Sequence, residues 1–389
     1  MREKCVQISF FNTYSDISDS MESNKPELVR LLEEYVDIDA LIPFDFYRAY
    51  DRRTGRKRIN SLESFIRAFI IQRLLGMKEN KQLLTLLTFS KELRDYCGFI
   101  KLPDEAEASP SAKQQYINGH FCYAFKAGIV TNGLGIIRDI SFFDDDFKAA
   151  HPEVISPKTD DPEKDKEIGD NAALKPILSD FFKVHKNLHY STFLGDSAFD
   201  SYDTYAVLKN EFHFSRACIP LNSRNTGSAH GNFNEFGNPV CPKTGEQFIC
   251  LGNSGGKNRS RRLKWVCPRS EPSGSSRCCT CDTPCTASSY GRCVYTYPEK
   301  NFRQCPGIAR NTEHWDNLYR HRTLAERTIN LFKEAFGLNY LKTQSSVSAK
   351  FDLYLAGCTQ LIGVILAEAI NKSSLFRSVR KIVDLVSCA

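Results

Sequence analysis

The sequence lacks the glycine patterns that bind nucleotides, because its 389 residues contain neither a Walker A loop nor a Rossmann fingerprint. Its eight histidines show no Cys/His or Ser/His arrangement of a nucleophilic enzyme. These absences argue against ATP chemistry, NAD chemistry and covalent catalysis.

Long uninterrupted apolar runs are also missing. Residues 1–7 have no apolar signal-peptide core, so we expect no secretion. The most apolar late stretch, 351–370, is broken by Asp352, Gln360 and Glu368, which favours a buried helix over a membrane span. Fifteen cysteines without a secretion signal indicate thiols or metal ligands in a reducing compartment.

Charge is unevenly distributed along a chain whose net charge is only +6. Residues 257–327 hold fourteen Lys/Arg against six Asp/Glu. A second basic run holds Arg52, Arg53, Arg56, Lys57 and Arg58. Two basic zones suit a polyanion, with DNA favoured over a membrane surface. A solubilising surface is the alternative for each zone.

The stretch 319–333 contains good helix formers and no Gly or Pro. On a regular helix, its four chemically active side chains fall within an arc of about 60°. These side chains are Tyr319, Arg322, Glu326 and Lys333. A carboxylate can hold a divalent metal, and the cations can hold phosphates around it. A solvated charged face is the alternative interpretation.

The pattern Tyr-x2-Arg-x3-Glu-x6-Lys at these four positions resembles the signature of a large group of bacterial insertion-sequence transposases of the DDE type. The resemblance extends to the Gly195–Asp200 segment and to the layout from about Pro43 onward. It implies an α/β fold with an RNase H-like core, Mg²⁺ or Mn²⁺, and DNA as partner (terminal inverted repeats and target). It further implies a possible homodimer and a cytoplasmic, nucleoid-associated location.

The resemblance also assigns roles to residues. Asp196 matches the second catalytic acid and Glu326 the third, both as metal ligands. Arg322 and Lys333 would hold phosphates, and Tyr319 would orient a phosphate or the nucleophile. Independently, Asp196 follows a predicted buried strand, where ligand sites of α/β sheets lie. A turn or helix N-cap is the alternative for Asp196, and the favoured interpretation of Asp200.

Composition shifts divide the chain into five parts. These are a polar segment (1–25), a helical, helix-turn-helix-like DNA-binding domain (26–100), the first part of the core (101–224), a Cys-rich basic insertion before the last catalytic helix (225–310) and the second part of the core (311–389). A helical cap without DNA contact is the alternative for 26–100. Ser61 is the expected N-cap of one of its helices, and 81–96 is expected to form another.

The first catalytic acid has no evident counterpart. In the related fold it lies on a strand immediately before the hairpin, which we place at 121–143. Here that position holds the Pro-interrupted stretch 102–119, where Asp104, Glu105 and Glu107 have no apolar flanks. Asp139 lies on the second strand of the predicted hairpin, whereas the first catalytic acid is expected on the strand before the hairpin. We therefore expect a deletion near 99–104 and a shortened, inactive relative.

The insertion offers two further candidate sites. A group of irregularly spaced cysteines could hold structural Zn²⁺, and free thiols are the alternative. These cysteines are Cys267, Cys279, Cys281, Cys285 and Cys293, with Cys241 further off. Trp265, among Arg261, Arg262 and Lys264, could stack on an unpaired DNA base, or could belong to a small satellite core.

Two other functions remain open from the sequence. One is a non-catalytic DNA-binding protein that keeps end recognition. The other is a zinc-dependent nuclease without strand transfer.

Overall fold

The computed structural model describes residues 25–50, 58–77, 79–103, 114–117, 120–157, 167–222, 232–255, 260–339 and 345–387. The chain forms two compact units. One comprises Met1–Lys113, Tyr123–Phe125 and Thr328–Ala389, and the other comprises Gln114–Cys122 and Lys126–Arg327. The sequence predicts that 311–389 completes the core, whereas the structure groups Thr328 onward with the N-terminal helices. Mixed helix and strand fits the predicted α/β class.

The helices in chain order are α1 (Glu27–Tyr35), α2 (Phe44–Tyr50), α3 (Leu62–Leu74), α4 (Asn80–Phe89), α5 (Lys91–Cys97), α6 (Asp145–Ala150), α7 (Asp170–Val184), α8 (Tyr202–Ala206), α9 (Glu313–Tyr319), α10 (Arg322–Asn330), α11 (Ser346–Ala369) and α12 (Val379–Ser387). Short 3-10 turns lie at Asp39–Leu41, Pro152–Val154, Ser197–Phe199 and Ser373–Leu375. Val207–Glu211 and Leu331–Ala335 are π-helical.

The strands are β1 (Gln114–Ile117), β2 (His120–Tyr123), β3 (Ala127–Thr131), β4 (Ile137–Phe142), β5 (Thr192–Leu194), β6 (Arg216–Cys218), β7 (Ile249–Ser254), β8 (Arg262–Val266), β9 (Ser270–Ser273), β10 (Ser276–Cys279) and β11 (Cys293–Thr296). Within the described residues they pair as β1–β2, β3–β4, β5–β6, β9–β10 and β11–β8–β7.

In the first unit, α11 packs against α1 and α3. By length and composition α11 could cross a membrane, with 24 residues and a mean hydropathy of 1.3, yet half of its apolar window is buried. Arg73, itself buried, forms an ion pair with Asp352 on this helix. The burial agrees with the core helix that the sequence predicts here.

The helix boundaries of the first unit follow capping chemistry. Ser61 caps α3, as predicted, by accepting a hydrogen bond from the Ser64 N–H at 3.3 Å. The single helix predicted over 81–96 is instead two helices. The break falls at Ser90, whose extended backbone and side-chain cap on the Leu93 N–H start a new helix.

In the second unit, β3 and β4 form an antiparallel hairpin whose turn is Asn132–Gly135. The Asn132 side chain accepts the N–H groups of Leu134 and Ile136, both at 3.0 Å. Gly135 has a φ of +74°, and a Cβ there would lie 2.8 Å from the carbonyl oxygen of Leu324. The turn therefore requires glycine and lies against α10.

The strands β5 and β6 form a parallel pair, and α7 packs on both this pair and the hairpin. Ile177 of α7 contacts Gly128 of β3, while Leu174 and Leu178 join the apolar cluster that contains Ala217 of β6. In the part of the chain that the structure describes, no strand links β3–β4 to β5–β6. One helix therefore spans two separate two-stranded sheets.

The insertion has more regular structure than its composition indicates. The strands β7, β8 and β11 form an antiparallel sheet around a small core that includes Phe248, Leu263 and Trp265. Leu263 and Trp265 alternate with Arg262 and Lys264 along β8, so one face is buried and the other polar. Short strands among polar turns hide this alternation in the sequence.

Candidate active site

Asp196 is presented at the end of the parallel strand pair. Gly195 continues the pairing through its N–H, which donates to the Cys218 carbonyl at 3.1 Å. A Cβ at Gly195 would lie 2.8 Å from the Phe193 ring and 3.1 Å from the Phe199 ring, so only glycine fits without movement. Asp196 is exposed, and its Oδ1 caps the following 3-10 turn through the Ala198 N–H at 2.9 Å. The N-cap alternative is thus part of its role, and the cap engages one carboxylate oxygen.

Asp200, at the other end of the same segment, is buried rather than a simple turn residue. The guanidinium of Arg303 binds its two oxygens at 3.0 and 2.7 Å, and the backbone N–H of Asn222 donates to it at 2.8 Å. Asp200 is 1 % exposed. This bidentate pair holds the buried end of the Gly195–Asp200 segment in place, and Asp196 remains the accessible acid of the segment.

Arg310 is a positioning residue that sequence reasoning missed. It is 2 % exposed, and its guanidinium donates to the Ile219 carbonyl at 3.0 Å, to the Tyr205 hydroxyl at 2.9 Å and to the Arg303 carbonyl at 2.8 Å. It also lies over the Trp315 ring at 5.5 Å. The only sequence signal was its place directly after the apolar pair 308–309.

The helix α9 places Tyr319 beside the ends of β5 and β6. Trp315 packs in a cluster with Cys218, and the partly buried Leu194 and Tyr319 pack against that cluster. The Trp315 and Tyr319 rings stack at 5.9 Å and 17°. The helix expected over 319–333 is interrupted: α9 ends at Tyr319 and α10 begins at Arg322. Hydrogen bonds three residues apart tighten the connection, so a regular 100° step does not hold there.

Tyr319 has both predicted acids among its electrostatic neighbours. Burial raises the pKa of Tyr319, the carboxylates of Asp196 and Glu326 raise it further, and the Arg322 guanidinium opposes them. Both acids therefore lie within electrostatic range of one phenol. Arg322 donates to Glu326 Oε1 at 2.8 Å and lies 5.4 Å from the Tyr319 ring centre. Four of the five predicted catalytic residues are thus neighbours of Tyr319 or Tyr319 itself, and we call them the acidic site: the exposed Asp196 and Glu326 and the half-buried Tyr319 and Arg322.

Residues 17–111 match the family model of a transposase domain (DUF772). The match supports a transposase family and a transposase role for the chain. It covers less than half of the sequence and ends before the acidic site. No curated protein and no solved structure matched the chain.

The donor set of the acidic site fits a hard divalent cation only in part. Carboxylate oxygens are the ligands that Mg²⁺ takes, and Mg²⁺ usually keeps several waters. Among the described residues, however, no three His, Cys, Asp or Glu side chains are placed together as a metal site. Asp139 does not supply a third acid here: Ser141 donates to it at 3.2 Å, and His185 and Asp180 are its electrostatic neighbours. Burial raises its pKa.

Lys333, the fifth predicted catalytic residue, is exposed on the π-helical turn Leu331–Ala335 in the first unit. A π turn changes the angular step that the sequence argument assumed. The structure therefore gives Lys333 a solvent-facing charge, and its partnership with Glu326 stays a prediction.

A pocket of about 310 Å³ lies beside α9 and includes Pro220, Phe236 and Trp315 in its wall. It also carries the carboxylates of Glu235 and Asp316. Arg310 also lines this pocket, and its guanidinium already donates to the carbonyls of Ile219 and Arg303 and to the Tyr205 hydroxyl.

The outer face of the insertion sheet alternates cations and phenols, and we call it the basic face. Arg262 lies 4.2 Å from the Tyr295 ring, and Lys264 lies 5.0 Å from the Tyr290 ring and 3.0 Å from its hydroxyl. Arg261, next to it, is exposed. Neither tyrosine was predicted, although the pairing of β11 with β8 places Tyr295 opposite Lys264 and would have indicated it.

The structure does not support base stacking by Trp265. Its side chain is 2 % exposed, belongs to the insertion core, and donates through Nε1 to Thr296 Oγ1 at 2.9 Å. A strand places alternate residues on opposite faces, so Trp265 points inward where Arg262 and Lys264 point outward. Trp265 therefore belongs to a small satellite core, the alternative that the sequence left open.

The N-terminal basic run lies mainly outside the described residues, which include Arg58 but not Arg52, Arg53, Arg56 or Lys57. Arg58 is exposed and lies 3.8 Å from the Tyr50 ring. A cation over the half-buried Tyr50 ring resembles the pairs on the basic face.

The five cysteines predicted to bind zinc lie in three separate segments of the insertion. Cys279 lies on β10, Cys281 and Cys285 lie in the loop after it, and Cys293 lies on β11 opposite Val266. Cys267 directly follows β8. As with the acids, no set of three described side chains stands at metal-ligand spacing.

Proposed function

We propose that the chain is a DDE-type transposase of an insertion sequence in shortened form, which binds DNA through its helical domain and its basic face. The observation that carries the proposal is the acidic site. Asp196 and Glu326 share Tyr319 as neighbour, and Arg322 is bound to Glu326 beside them. The transposase-domain match at 17–111 agrees with this assignment.

The arrangement of the core supports an RNase H-like ancestry with one strand lost. Hairpin β3–β4, helix α7, strand β5, helix α8 and strand β6 follow the order expected of that core. In the related fold the first strand precedes the hairpin and is a central member of the sheet. Here β1 and β2 precede the hairpin but pair only with each other among the described strands, and β3–β4 and β5–β6 remain unjoined, which is what the loss of a central strand would leave.

The proposed chemistry is an in-line phosphoryl transfer. Asp196 and Glu326 would hold Mg²⁺ or Mn²⁺, which when bound supplies Lewis-acid activation of the attacking oxygen or stabilises the leaving oxygen. Arg322 is held by Glu326 and by the Tyr319 ring, so its guanidinium is oriented to bind a phosphate oxygen. The raised pKa of Tyr319 keeps its hydroxyl protonated, and it can donate a hydrogen bond to a phosphate. Lys333 would add positive charge for the DNA strand.

The DNA contacts we propose fall in two zones. The N-terminal zone is the run Arg52, Arg53, Arg56, Lys57 and Arg58, and the second is Arg261, Arg262 and Lys264 on the basic face. Lys and Arg beside aromatic rings suit phosphates flanking a strand end, because the cation binds the phosphate and the ring can contact a base. The partners are element ends and target DNA, bound by a homodimer in the bacterial cytoplasm at the nucleoid.

The missing first acid limits the chemistry. Two carboxylates in place of three leave the metal short of a ligand, so we expect DNA binding without metal-dependent cleavage. The test uses the purified full chain, duplexes carrying the DNA that flanks its gene, and shuffled duplexes of equal composition. Binding is measured by fluorescence anisotropy, and nicking and strand transfer with Mg²⁺ and with Mn²⁺ on a plasmid carrying the flanks.

Each outcome decides a separate part of the proposal. Absence of DNA binding would contradict the transposase function. Cleavage that Glu326→Ala abolishes would support the DDE assignment and overturn the incomplete site. Cleavage that survives Glu326→Ala unchanged would show that Glu326 is wrongly assigned.

A further inference from the structure

The insertion contains two turns of matching sequence, each beginning with Cys-Pro. They are Cys241–Gly245 and Cys267–Ser270. The chain reverses in each: the Gly245 N–H donates to the Cys241 carbonyl at 2.9 Å, and the Ser270 N–H donates to the Cys267 carbonyl at 3.0 Å. Both cysteines are buried.

Backbone amides point at both sulfurs. The Cys241 thiol accepts hydrogen bonds from the backbone N–H groups of Lys243 and Thr244 and from the Thr244 side chain. The Cys267 thiol accepts one from the Arg269 N–H. Hydrogen-bond donors around a sulfur are common at cysteines that bind metals. Each turn therefore presents one buried sulfur with backbone donors beside it.

The β7–β8 pair brings the two turns together. Ile249 pairs with Val266, so the start of β7, which follows the first turn, lies beside the end of β8, where Cys267 begins the second turn. Arg269 of the second turn binds Glu246, just after the first, through two contacts at 3.0 and 2.8 Å. The two turns are thus connected both by the Arg269–Glu246 ion pair and by the pairing of β7 with β8.

A third segment, 279–285, supplies two more thiols. Cys279 of β10 pairs with Ser270. The Lys243 ammonium donates to the carbonyls of Thr283 and Pro284, both at 3.1 Å, which holds the end of this loop against the first turn. There the Cys285 thiol hydrogen-bonds with Cys241. Cys267 has the thiols of Cys241, Cys279 and Cys285 as its electrostatic neighbours.

We propose that Cys241, Cys267, Cys279 and Cys285 bind one structural Zn²⁺ as four thiolates. The set replaces two cysteines of the sequence prediction with Cys241: Cys293 faces Lys264 on the basic face, and Cys281 lies near Arg269. Because the described side chains do not stand at metal spacing, the ion draws the four sulfurs to about 2.3 Å from itself. Cys279 and Cys285 are partly exposed and lie at or beyond the end of β10, where such movement is least restricted.

The site would hold together a segment with few other contacts. The insertion core contains only a small set of buried side chains, and loop-rich regions of this kind need a cross-link to stay ordered. Binding of the ion fixes the ends of β8 and β10 and thereby the basic face. This role is independent of the phosphoryl-transfer proposal.

Metal content of the full chain, purified anaerobically in a thiol reductant, tests the site. We expect about one zinc per chain by elemental analysis. Cys241→Ser, Cys267→Ser and Cys285→Ser should each lose most of it, whereas the controls Cys293→Ser and Cys278→Ser should retain it. Zinc kept by Cys241→Ser, or lost equally from Cys293→Ser, would overturn the ligand set.

A second measurement on the unmodified chain covers the case in which the variants do not fold. Replacing zinc with Co²⁺ should give the intense visible bands of a tetrahedral four-thiolate ion and protect four thiols from alkylation, with Cys241 and Cys285 among them by mass spectrometry. A reduced chain that binds no Co²⁺, or that protects a different set of thiols, would overturn the proposal.

Discussion

Two ends of the Gly195–Asp200 segment carry the same chemical group in opposite surroundings. Asp200 is buried, bound on both oxygens by Arg303 and supported by the Arg310 network, and we call this group the buried anchor. Asp196 is exposed, uses one oxygen for a cap, and shares Tyr319 with Glu326. The anchor has its partners already, whereas the acidic site keeps carboxylates accessible to an ion or a phosphate.

The difference in burial between the anchor and the acidic site distinguishes charged residues that stabilise the fold from charged residues that can bind a ligand. A buried ion pair with a full set of hydrogen bonds has no capacity left for a ligand and loses much stability when broken. An exposed pair such as Arg322–Glu326, with side-chain exposures of 27 and 53 %, contributes little to folding. Charges at the acidic site therefore point to function, and those of the anchor to architecture.

The largest expected effect comes from breaking the anchor. Asp200→Asn leaves the Arg303 guanidinium without its counter-charge in a site where the pair's side chains are 0 and 11 % exposed. We expect a loss of about 3–5 kcal/mol in the free energy of unfolding, measured by urea denaturation. Asp196→Asn is the matched control, because asparagine caps a helix as well as aspartate does and should leave stability nearly unchanged. Equal losses in the two variants would erase the distinction between anchor and site.

The next effect concerns the glycine between the strand and Asp196. Gly195→Ala places a methyl group 2.8 Å from the Phe193 ring and should cost about 1–3 kcal/mol through overpacking. Gly133→Ala is the control, since nothing lies within 4 Å of its added Cβ. If both variants melt at the same temperature as the parent chain, the close packing under Asp196 is not as described.

Two substitutions in the insertion compare its buried core with its basic face. Trp265→Phe removes the bond to Thr296 and should cost about 1 kcal/mol in stability without changing DNA affinity. Tyr295→Ala, on the basic face, should weaken DNA binding several-fold and leave stability nearly unchanged. Denaturation curves and fluorescence anisotropy on the same preparations measure both quantities. The reverse pattern would restore Trp265 as a DNA contact.

Charge on the basic face should appear in the salt dependence of binding. Arg262→Ala and Lys264→Ala should each lower the slope of log affinity against log salt by about one. Lys183, exposed at the end of α7, supplies the control Lys183→Ala, which should leave the slope unchanged. A slope that all three variants alter alike would indicate non-specific attraction.

The smallest expected effect is on stability at the acidic site itself. Glu326→Gln breaks an exposed pair and should change the free energy of unfolding by less than about 1 kcal/mol. A loss of several kcal/mol in denaturation would make Glu326 part of the architecture, like Asp200.

Local chemistry made part of this fold predictable from the sequence. Ser61 was recognisable as a cap, because its hydroxyl satisfies a nearby N–H. The hairpin was also recognisable from the Asn-Gly pair at 132–133, although the glycine that the observed turn requires is Gly135. Ser90 is a residue of the same type, but two helices separated by one capping serine read as a continuous pattern.

Contacts distant in sequence could not be predicted. Asp200 and Arg303 are 103 positions apart, and no local pattern indicates that they pair. Arg310 acquires its role only through distant contacts with Ile219 and Tyr205, and Tyr290 and Tyr295 only through the folding of the insertion. The approach of Asp196 to Glu326 was expected through a resemblance, and their common neighbour Tyr319 was identified by the packing of α9 on β6.

Cleavage of the chain by a bound redox metal tests the acidic site most directly. The full chain is loaded with Fe²⁺ in place of Mg²⁺ and treated with ascorbate and peroxide, so that radicals cut the backbone beside the ion. We predict cuts next to both Asp196 and Glu326, which excess Mg²⁺ suppresses and which Glu326→Gln removes while the chain stays folded. Cuts beside only one of these acids, or at neither, would contradict the claim that they form one metal-binding site.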